Sequence, residues 1–206
     1  IDRGKVTIIG GGVVGTNACK VAVGLGADVT MIDLDIDRLE YLDDVFGSKI
    51  TTLKSNSYNI ERAVLASDLL IGAVLLPGAK APKLVTREMV SAMKKGSVIV
   101  DVAVDQGGCV ETCKATNFDN PTFFVDGVLH YCVANMPGAV ANSSTYALTN
   151  ATLAYARKIV SQGFEKTLSD DYGFQLGVNT YDGHITYHAV AQALGVESKE
   201  LSQLLA

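Results

Sequence analysis

The sequence has no Trp, only 4 Cys and only 4 Pro in 206 residues. So few cysteines (Cys19, Cys109, Cys113 and Cys132) exclude the disulfide framework of a small secreted domain. The Cys109 to Cys113 spacing is C-x-x-x-C, which fits neither a redox pair nor a zinc ligand pair. Long apolar runs are also missing. Stretches such as Leu69 to Leu76 are broken by Gly or Pro well short of the ~18 residues that a membrane-spanning helix needs, so no membrane partner is expected. Basic charge is in deficit: 17 Lys+Arg against 22 Asp+Glu give a net charge of −5, which argues against nucleic acid as a partner. No signal-peptide pattern precedes the first strand, and a cytoplasmic location is expected. His184 and His188 stand at i, i+4 with no Glu after His184, so the zinc-protease pattern fails and no metal site is expected. A G-x-S-x-G elbow and a P-loop lysine are absent as well, leaving hydrolase and phosphoryl-transfer readings without a foothold.

What is present is globular: 48% hydrophobic and 19% charged residues, in a chain able to bury roughly 70% of its unfolded surface. The sequence opens with Ile1-Asp2-Arg3-Gly4 directly against a strand pattern and without an initiator Met, so further residues are expected upstream. Strand patterns at Lys5 to Ile9, Val29 to Ile32, Ile50 to Leu53, Leu69 to Ala73 and Ser97 to Val102 alternate with helix patterns at Val13 to Leu25, Ile36 to Phe46, Ile60 to Ala66 and Thr86 to Met93. Thr86 reads as an N-cap. Phe123 to Val125 and Val128 to Val133 suggest one more strand or a strand pair near the sheet edge. Such alternation implies right-handed crossovers and an α/β fold: a Rossmann-type, doubly wound parallel sheet with helices on both faces. From Ser143 the pattern changes. Leu148, Ala151, Tyr155 and Ile159 mark one face of a helix to about Gln162, followed by a hairpin at Tyr181-Asp182-Gly183-His184 and a helix from Tyr187 to Leu194. We therefore expect a nucleotide-binding domain over 1–142 and a C-terminal helical segment over 143–206 that packs on a substrate domain lying upstream.

Gly10-Gly11-Gly12-Val13-Val14-Gly15 fits G-x-G-x-x-G between a strand and a helix. In such a loop Gly10 permits the tight turn, Gly12 the approach of a pyrophosphate, and Gly15 close helix packing, with the phosphates on the N–H groups of the helix start. Asp33 follows 21 residues after Gly12, at the end of the second strand, where a carboxylate accepts hydrogen bonds from an adenosine ribose and repels a 2′-phosphate. NAD is therefore expected over NADP. Arg38 has two readings, a contact to the same ribose or a phosphate, and a solvated helix residue near Asp35 and Asp37.

Ligands of open parallel sheets lie beyond the carboxyl ends of the strands. After strand four, Pro77, Gly78 and Pro82 fix a loop able to lie along a cofactor. After strand five comes Val102-Ala103-Val104-Asp105-Gln106-Gly107-Gly108, in which Asp105 is the candidate acid or base; its alternative is a turn-stabilising role. Asp101 reads as structural, and His130 as a core or edge residue.

Three strings occur together: Val74 to Leu84 (VLLPGAKAPKL), Asp105-Gln106-Gly107-Gly108-Cys109, and Tyr131-Cys132-Val133-Ala134-Asn135-Met136-Pro137. With Ser143 to Thr152, they make the chain resemble alanine dehydrogenase from Gly4 to about Gly195. The resemblance implies NAD-dependent, reversible oxidative deamination of L-alanine to pyruvate and ammonia in a homohexamer. It also implies an upstream substrate domain that supplies an arginine, a lysine and a catalytic histidine, so this chain alone is expected to bind NAD without turning over alanine. It makes Asp105 the catalytic aspartate and gives cofactor contacts to Asp33, Arg38, Ser55, Val74 and Leu75. Val102, Ala103, Val104 and Asp105, with Val133, Ala134, Asn135 and Met136, would line the nicotinamide side. Lys114 falls where a basic cofactor contact is common, and otherwise reads as a solvated loop lysine. In the implied reaction, hydride leaves the alanine Cα for NAD and water attacks the resulting iminium. Asp105 and the upstream histidine then move the protons that release ammonia. Two alternatives are the NAD-binding part of a proton-translocating transhydrogenase and a non-catalytic NAD-binding module. The first has similar P-G-x-x-A-P and G-G segments, but usually has Asn where this chain has Cys109.

Overall fold

Short β-branched strands cannot hold isolated helices; they must bury both faces of a sheet against them. The computed structural model, which describes residues 1–205, realises this with β1 (Lys5–Ile9), α1 (Val13–Gly24), β2 (Asp28–Asp33), α2 (Ile36–Phe46), β3 (Ile50–Lys54), α3 (Ser57–Ala66), β4 (Leu69–Gly72), α4 (Arg87–Ala92), β5 (Val98–Asp101), β6 (Thr122–Val125) and β7 (Val128–Tyr131). The seven strands form one sheet in the order β3-β2-β1-β4-β5-β7-β6, parallel except for the edge strand β6, which runs antiparallel to β7. The expected α/β architecture and the strand pair at the edge are both present. The pleat of β1 shows why helices cover both faces. Val6 and Ile8 pack with Cys19, Val29, Met31 and Leu42, whereas Ile9 packs with Ile32, Ile60, Val64, Leu70 and Ile99.

Local chemistry sets the element ends. The Asp35 carboxylate accepts from the Asp37 and Arg38 amides at the start of α2, the Asn56 side chain from Asn59 N–H at α3, and the Thr86 hydroxyl from Met89 N–H at α4. His130 on β7 is fully buried. The Val128 carbonyl can only accept, so His130 Nδ1 donates to it at 3.0 Å, and Nε2 accepts from the Thr112 hydroxyl at 2.7 Å. Burial lowers the imidazole pKa, as befits a neutral core residue.

Strand five ends one residue earlier than the sequence pattern suggests. It stops at Asp101 and the chain turns into a 3-10 helix over Val102–Gln106. The cause is the fully buried Asp101 carboxylate. Its Oδ1 accepts from Ala103 N–H at 3.1 Å, and its Oδ2 accepts from Cys109 N–H at 2.9 Å and Val110 N–H at 3.2 Å, folding the chain back on itself.

The chain divides into two units, one of residues 1–76 and 80–136, the other of 77–79 and 137–206. The second contains α5 (Ala141–Gln162), α6 (Phe164–Asp170), α7 (Tyr172–Leu176), the hairpin β8 (Thr180–Tyr181) and β9 (His184–Ile185), α8 (His188–Leu194) and α9 (Leu201–Leu204). The long helix, the hairpin and α8 follow the sequence pattern. Helices α6, α7 and α9, of 7, 5 and 4 residues, do not, because so few turns leave no readable period. Ala206, the last residue of the expected 143–206 segment, lies outside the described residues. Among the described residues α5 buries none of its side chains, and no helix is long and apolar enough to cross a membrane.

Removing the Asp101 carboxylate leaves the buried N–H groups of Cys109 and Val110 and the part-buried N–H of Ala103 without an acceptor. Asp101→Ala is expected to lower unfolding stability by about 3 kcal/mol, measured in urea. Burial is the main force on the Asp101 pKa and raises it, with the N–H donors pulling the other way. Stability from a group raised in the folded state is full below its unfolded pKa and lost as pH climbs through the folded one. The wild type should therefore gain stability relative to Asp101→Asn as pH falls from about 7 toward about 4.

Candidate functional site

The carboxyl ends of β1 and β4 meet where the strand order reverses, and a glycine loop fills the space between them. Gly10 N–H donates to the Ile32 carbonyl at 2.8 Å. Gly10 sits at φ +103°, and a Cβ there would lie 2.5 Å from the Ala73 carbonyl oxygen. At Gly15 a Cβ would lie 1.8 Å from the Gly10 carbonyl oxygen, so only glycine lets α1 seat on the loop. Gly12 is different: nothing lies within 4 Å of the Cβ it lacks. It stands at the cap position before α1, which has no acid in its first turn and, unlike α2, α3 and α4, no side-chain cap. The amides of that turn are left to attract an anion.

Two charged side chains grip Gly11 from opposite sides. Asp33 Oδ2 accepts its N–H at 2.5 Å, while Oδ1 accepts Asp35 N–H at 2.9 Å. Arg38 Nε donates to the Gly11 carbonyl at 2.6 Å, and Nη2 donates to the Thr16 hydroxyl at 2.8 Å. Its guanidinium also stacks 4.6 Å above the Tyr41 ring. Arg38 is thus a strut of the loop, a role neither of its two sequence readings contained.

Two clefts open beside this loop. One, of about 490 Å³, is lined by Gly10, Gly12, Asp33, Leu34, Ser55, Val74, Leu75 and Leu76 among others. The other, of about 160 Å³, is lined by Val14, Val102, Ala103, Asp105 and Gln106, and shares Ala73, Val74 and Leu75 with the first. Asp105 is exposed, and its Oδ2 accepts Asn135 N–H at 3.3 Å, which joins the segment after β7 to the turn after β5. The remaining sequence candidates stand elsewhere. Val104 and Val133 are buried, Val13 is exposed at the start of α1, and Ala134 and Met136 flank Asn135 without lining either cleft. The Lys114 ammonium lies 4.9 Å from the centre of the Phe123 ring.

Sequence reasoning missed several residues. Leu34, Leu76 and Leu84 add apolar wall to the larger cleft, each close in sequence to a chosen residue, and Pro82, expected in a loop along the cofactor, lines it too. Lys83 had no such signal. Its ammonium donates to the carbonyls of Gly107 (2.5 Å), Gly108 (3.0 Å) and Val110 (3.2 Å), the stretch directly after Asp105 and Gln106. Gln106 also went unnoticed, although its side-chain Oε1 is buried with no hydrogen-bond partner. Cys109 is not a nucleophile: burial, then the Asp101 carboxylate 4.0 Å away, pushes its thiol up to about 12.

These features match known proteins. The family model described as alanine dehydrogenase/PNT, C-terminal domain, matches residues 1–188. An alanine dehydrogenase of Bacillus subtilis (strain 168) is 63% identical over 198 residues, 96% of this chain and 52% of that protein. A solved L-alanine dehydrogenase superposes with a TM-score of 0.84 at 52% identity, over 95% of this chain and 54% of the other. A transhydrogenase from Sinorhizobium meliloti superposes with a TM-score of 0.69 at 29% identity, over 78% of this chain and 46% of the other. The chain spans about half the length of the curated relatives it matches.

The two glycines predict opposite outcomes. Gly15→Ala should lower stability by about 3 kcal/mol through its clash with backbone, and Gly12→Ala should change it by less than about 0.5 kcal/mol. Thermal unfolding of the two variants beside the wild type measures the difference.

Proposed function

Because the chain belongs to the alanine dehydrogenase/PNT C-terminal domain family, we propose that it is the cofactor-binding part of an NAD-dependent L-alanine dehydrogenase. The observation that carries this reading is the pair of clefts with a common wall at Ala73, Val74 and Leu75. One has the glycine loop and a carboxylate, the other a carboxylate and an amide. The residues present fit a dinucleotide: open space over Gly12, an uncapped helix start, and the Asp33 carboxylate on the wall of the larger cleft.

In this proposal the first-turn amides of α1 bind the pyrophosphate. Asp33, each of whose oxygens accepts one backbone N–H, uses its remaining lone pairs for the adenosine ribose, with Ser55 beside it. Arg38 acts by fixing the loop. Val14, Val74, Leu75, Val102 and Ala103 supply an aliphatic slot that excludes water from the ring end, with Val104 and Val133 packed as buried supports and Ala134, Asn135 and Met136 as further contacts. NAD, when bound, supplies the hydride acceptor for the alanine Cα. Asp105, exposed and fixed by Asn135 N–H, takes and returns a proton as ammonia is released and pyruvate formed. The substrate-binding groups and the second acid/base would come from outside this chain. Lys114 as a cofactor contact, a homohexameric assembly, a cytoplasmic location, and a C-terminal segment that packs on the substrate domain belong to the same proposal. The transhydrogenase reading is less well supported, at 29% identity against 52%.

Followed by NADH absorbance with L-alanine, Asp105→Asn in the full-length protein should lose at least about 100-fold in kcat while NADH affinity stays within about threefold. Unchanged turnover would favour a binding module. The chain by itself should bind NAD without oxidising alanine, and NADP should bind at least about tenfold more weakly, because its 2′-phosphate meets the Asp33 carboxylate. Equal affinities would remove Asp33 from its assigned role.

A further inference from the structure

Lys83 is an exposed residue, and an exposed ammonium ordinarily leaves its protons to water. This one does not. Its three N–H donors meet three backbone carbonyls, those of Gly107 at 2.5 Å, Gly108 at 3.0 Å and Val110 at 3.2 Å. These carbonyls belong to the stretch that follows Asp105, where Gly107 and Gly108 stand side by side at φ +92° and +71°. Two adjacent glycines have many other backbone conformations open to them, so the convergence of their carbonyls on one point needs something to hold it. The buried Asp101 carboxylate takes the N–H groups of Ala103, Cys109 and Val110, but a carboxylate cannot hold a carbonyl. The acceptor side of the loop falls to Lys83.

The same two glycines close the turn that carries Asp105. Gly107 N–H donates to the Val104 carbonyl at 3.0 Å, and Gly108 N–H donates to the Ala103 carbonyl at 2.9 Å. Asp105 stands between those acceptors and the glycines, on the wall of the smaller cleft. A glycine peptide that rotates breaks one of these turn bonds and carries the carboxylate away from Asn135 N–H. The segment that presents Lys83 is itself well fixed: Ala81 N–H donates to the Gln106 carbonyl at 3.0 Å, and the Leu84 and Val85 N–H groups donate to the Cys109 carbonyl at 2.8 and 3.1 Å. Pro82 and Leu84 on either side of it line the larger cleft, whereas Lys83 lines neither cleft. We infer that Lys83 is a positioning residue for alanine oxidation: by tying the Gly107, Gly108 and Val110 carbonyls together it fixes the turn from which Asp105 exchanges its proton. This rests on the acid/base reading of Asp105 given above.

The test measures turnover and cofactor binding separately in the full-length protein, for Lys83→Met, Lys83→Arg, Asp105→Asn and the combination of Lys83→Met with Asp105→Asn. Lys83→Met keeps an unbranched stem without charge or donor. It should lose about 30-fold in kcat for L-alanine oxidation, while NADH affinity by calorimetry stays within about threefold at an unchanged number of sites. Lys83→Arg, which keeps the charge and the donors on a head of different shape, should stay within about fivefold of the wild-type kcat. In the Asp105→Asn background, Lys83→Met should cost less than about threefold, because the turn no longer has a carboxylate to aim. A lysine that served only the structure would lower kcat equally in both backgrounds. Equal losses therefore overturn the inference, and so does an unchanged kcat in Lys83→Met. Loss of NADH binding in Lys83→Met also overturns it, because Lys83 would then hold the fold as a whole. If Asp105→Asn alone keeps full turnover, the acid/base reading of Asp105 fails and the positioning role falls with it. If Asp105→Asn loses turnover while Lys83→Met does not, that reading stands and the role of Lys83 alone is refuted.

Discussion

A single buried carboxylate decides where the chain leaves strand β5 and turns beside the smaller cleft. Asp101 closes strand β5 by capturing three backbone amides from the chain that follows it, and that capture bends residues 102–110 into a turn rather than a longer strand. Asp105 and Gln106 reach the cleft because of it. From the other side the Lys83 ammonium takes three carbonyls of the same stretch, so donors and acceptors of one loop are satisfied by opposite charges from two segments. The arrangement is stiff without any disulfide; all four cysteines are free thiols.

The glycine loop is held on the same principle. Gly11 has no side chain to anchor, so Asp33 takes its N–H and Arg38 its carbonyl. Both come from the region around β2 and α2, and the loop is therefore positioned by the element next to it in the sheet as well as by β1. Leaving α1 uncapped while its neighbours are capped concentrates unpaired amides at one place in this unit.

Much of this was legible in the sequence. Short β-branched apolar runs and helical patterns located the strands and the larger helices, and the spacing from Gly12 to Asp33 marked the switch point of the sheet, because backbone geometry there tolerates few alternatives. Asp101 could be separated from Asp105 as structural, since a residue on a strand faces the interior and one beyond it faces the cleft. What stayed hidden depends on long-range geometry. Arg38 and Lys83 carry side chains long enough to reach 27 residues along the chain, and nothing local distinguishes them from solvated cations. The short helices α6, α7 and α9 have too few residues for a period to emerge.

The wall shared by the two clefts has a further consequence. Ala73, Val74 and Leu75 face both, so a ligand with two ends linked by a short bridge meets a continuous surface. Once one end is seated, the other is delivered to its cleft at a high effective concentration, and its attachment becomes a unimolecular event. Each half can then be held weakly and the whole firmly. Release can begin at either end without the full molecule leaving at once, an asset to any catalyst that must exchange a spent cofactor on every turnover.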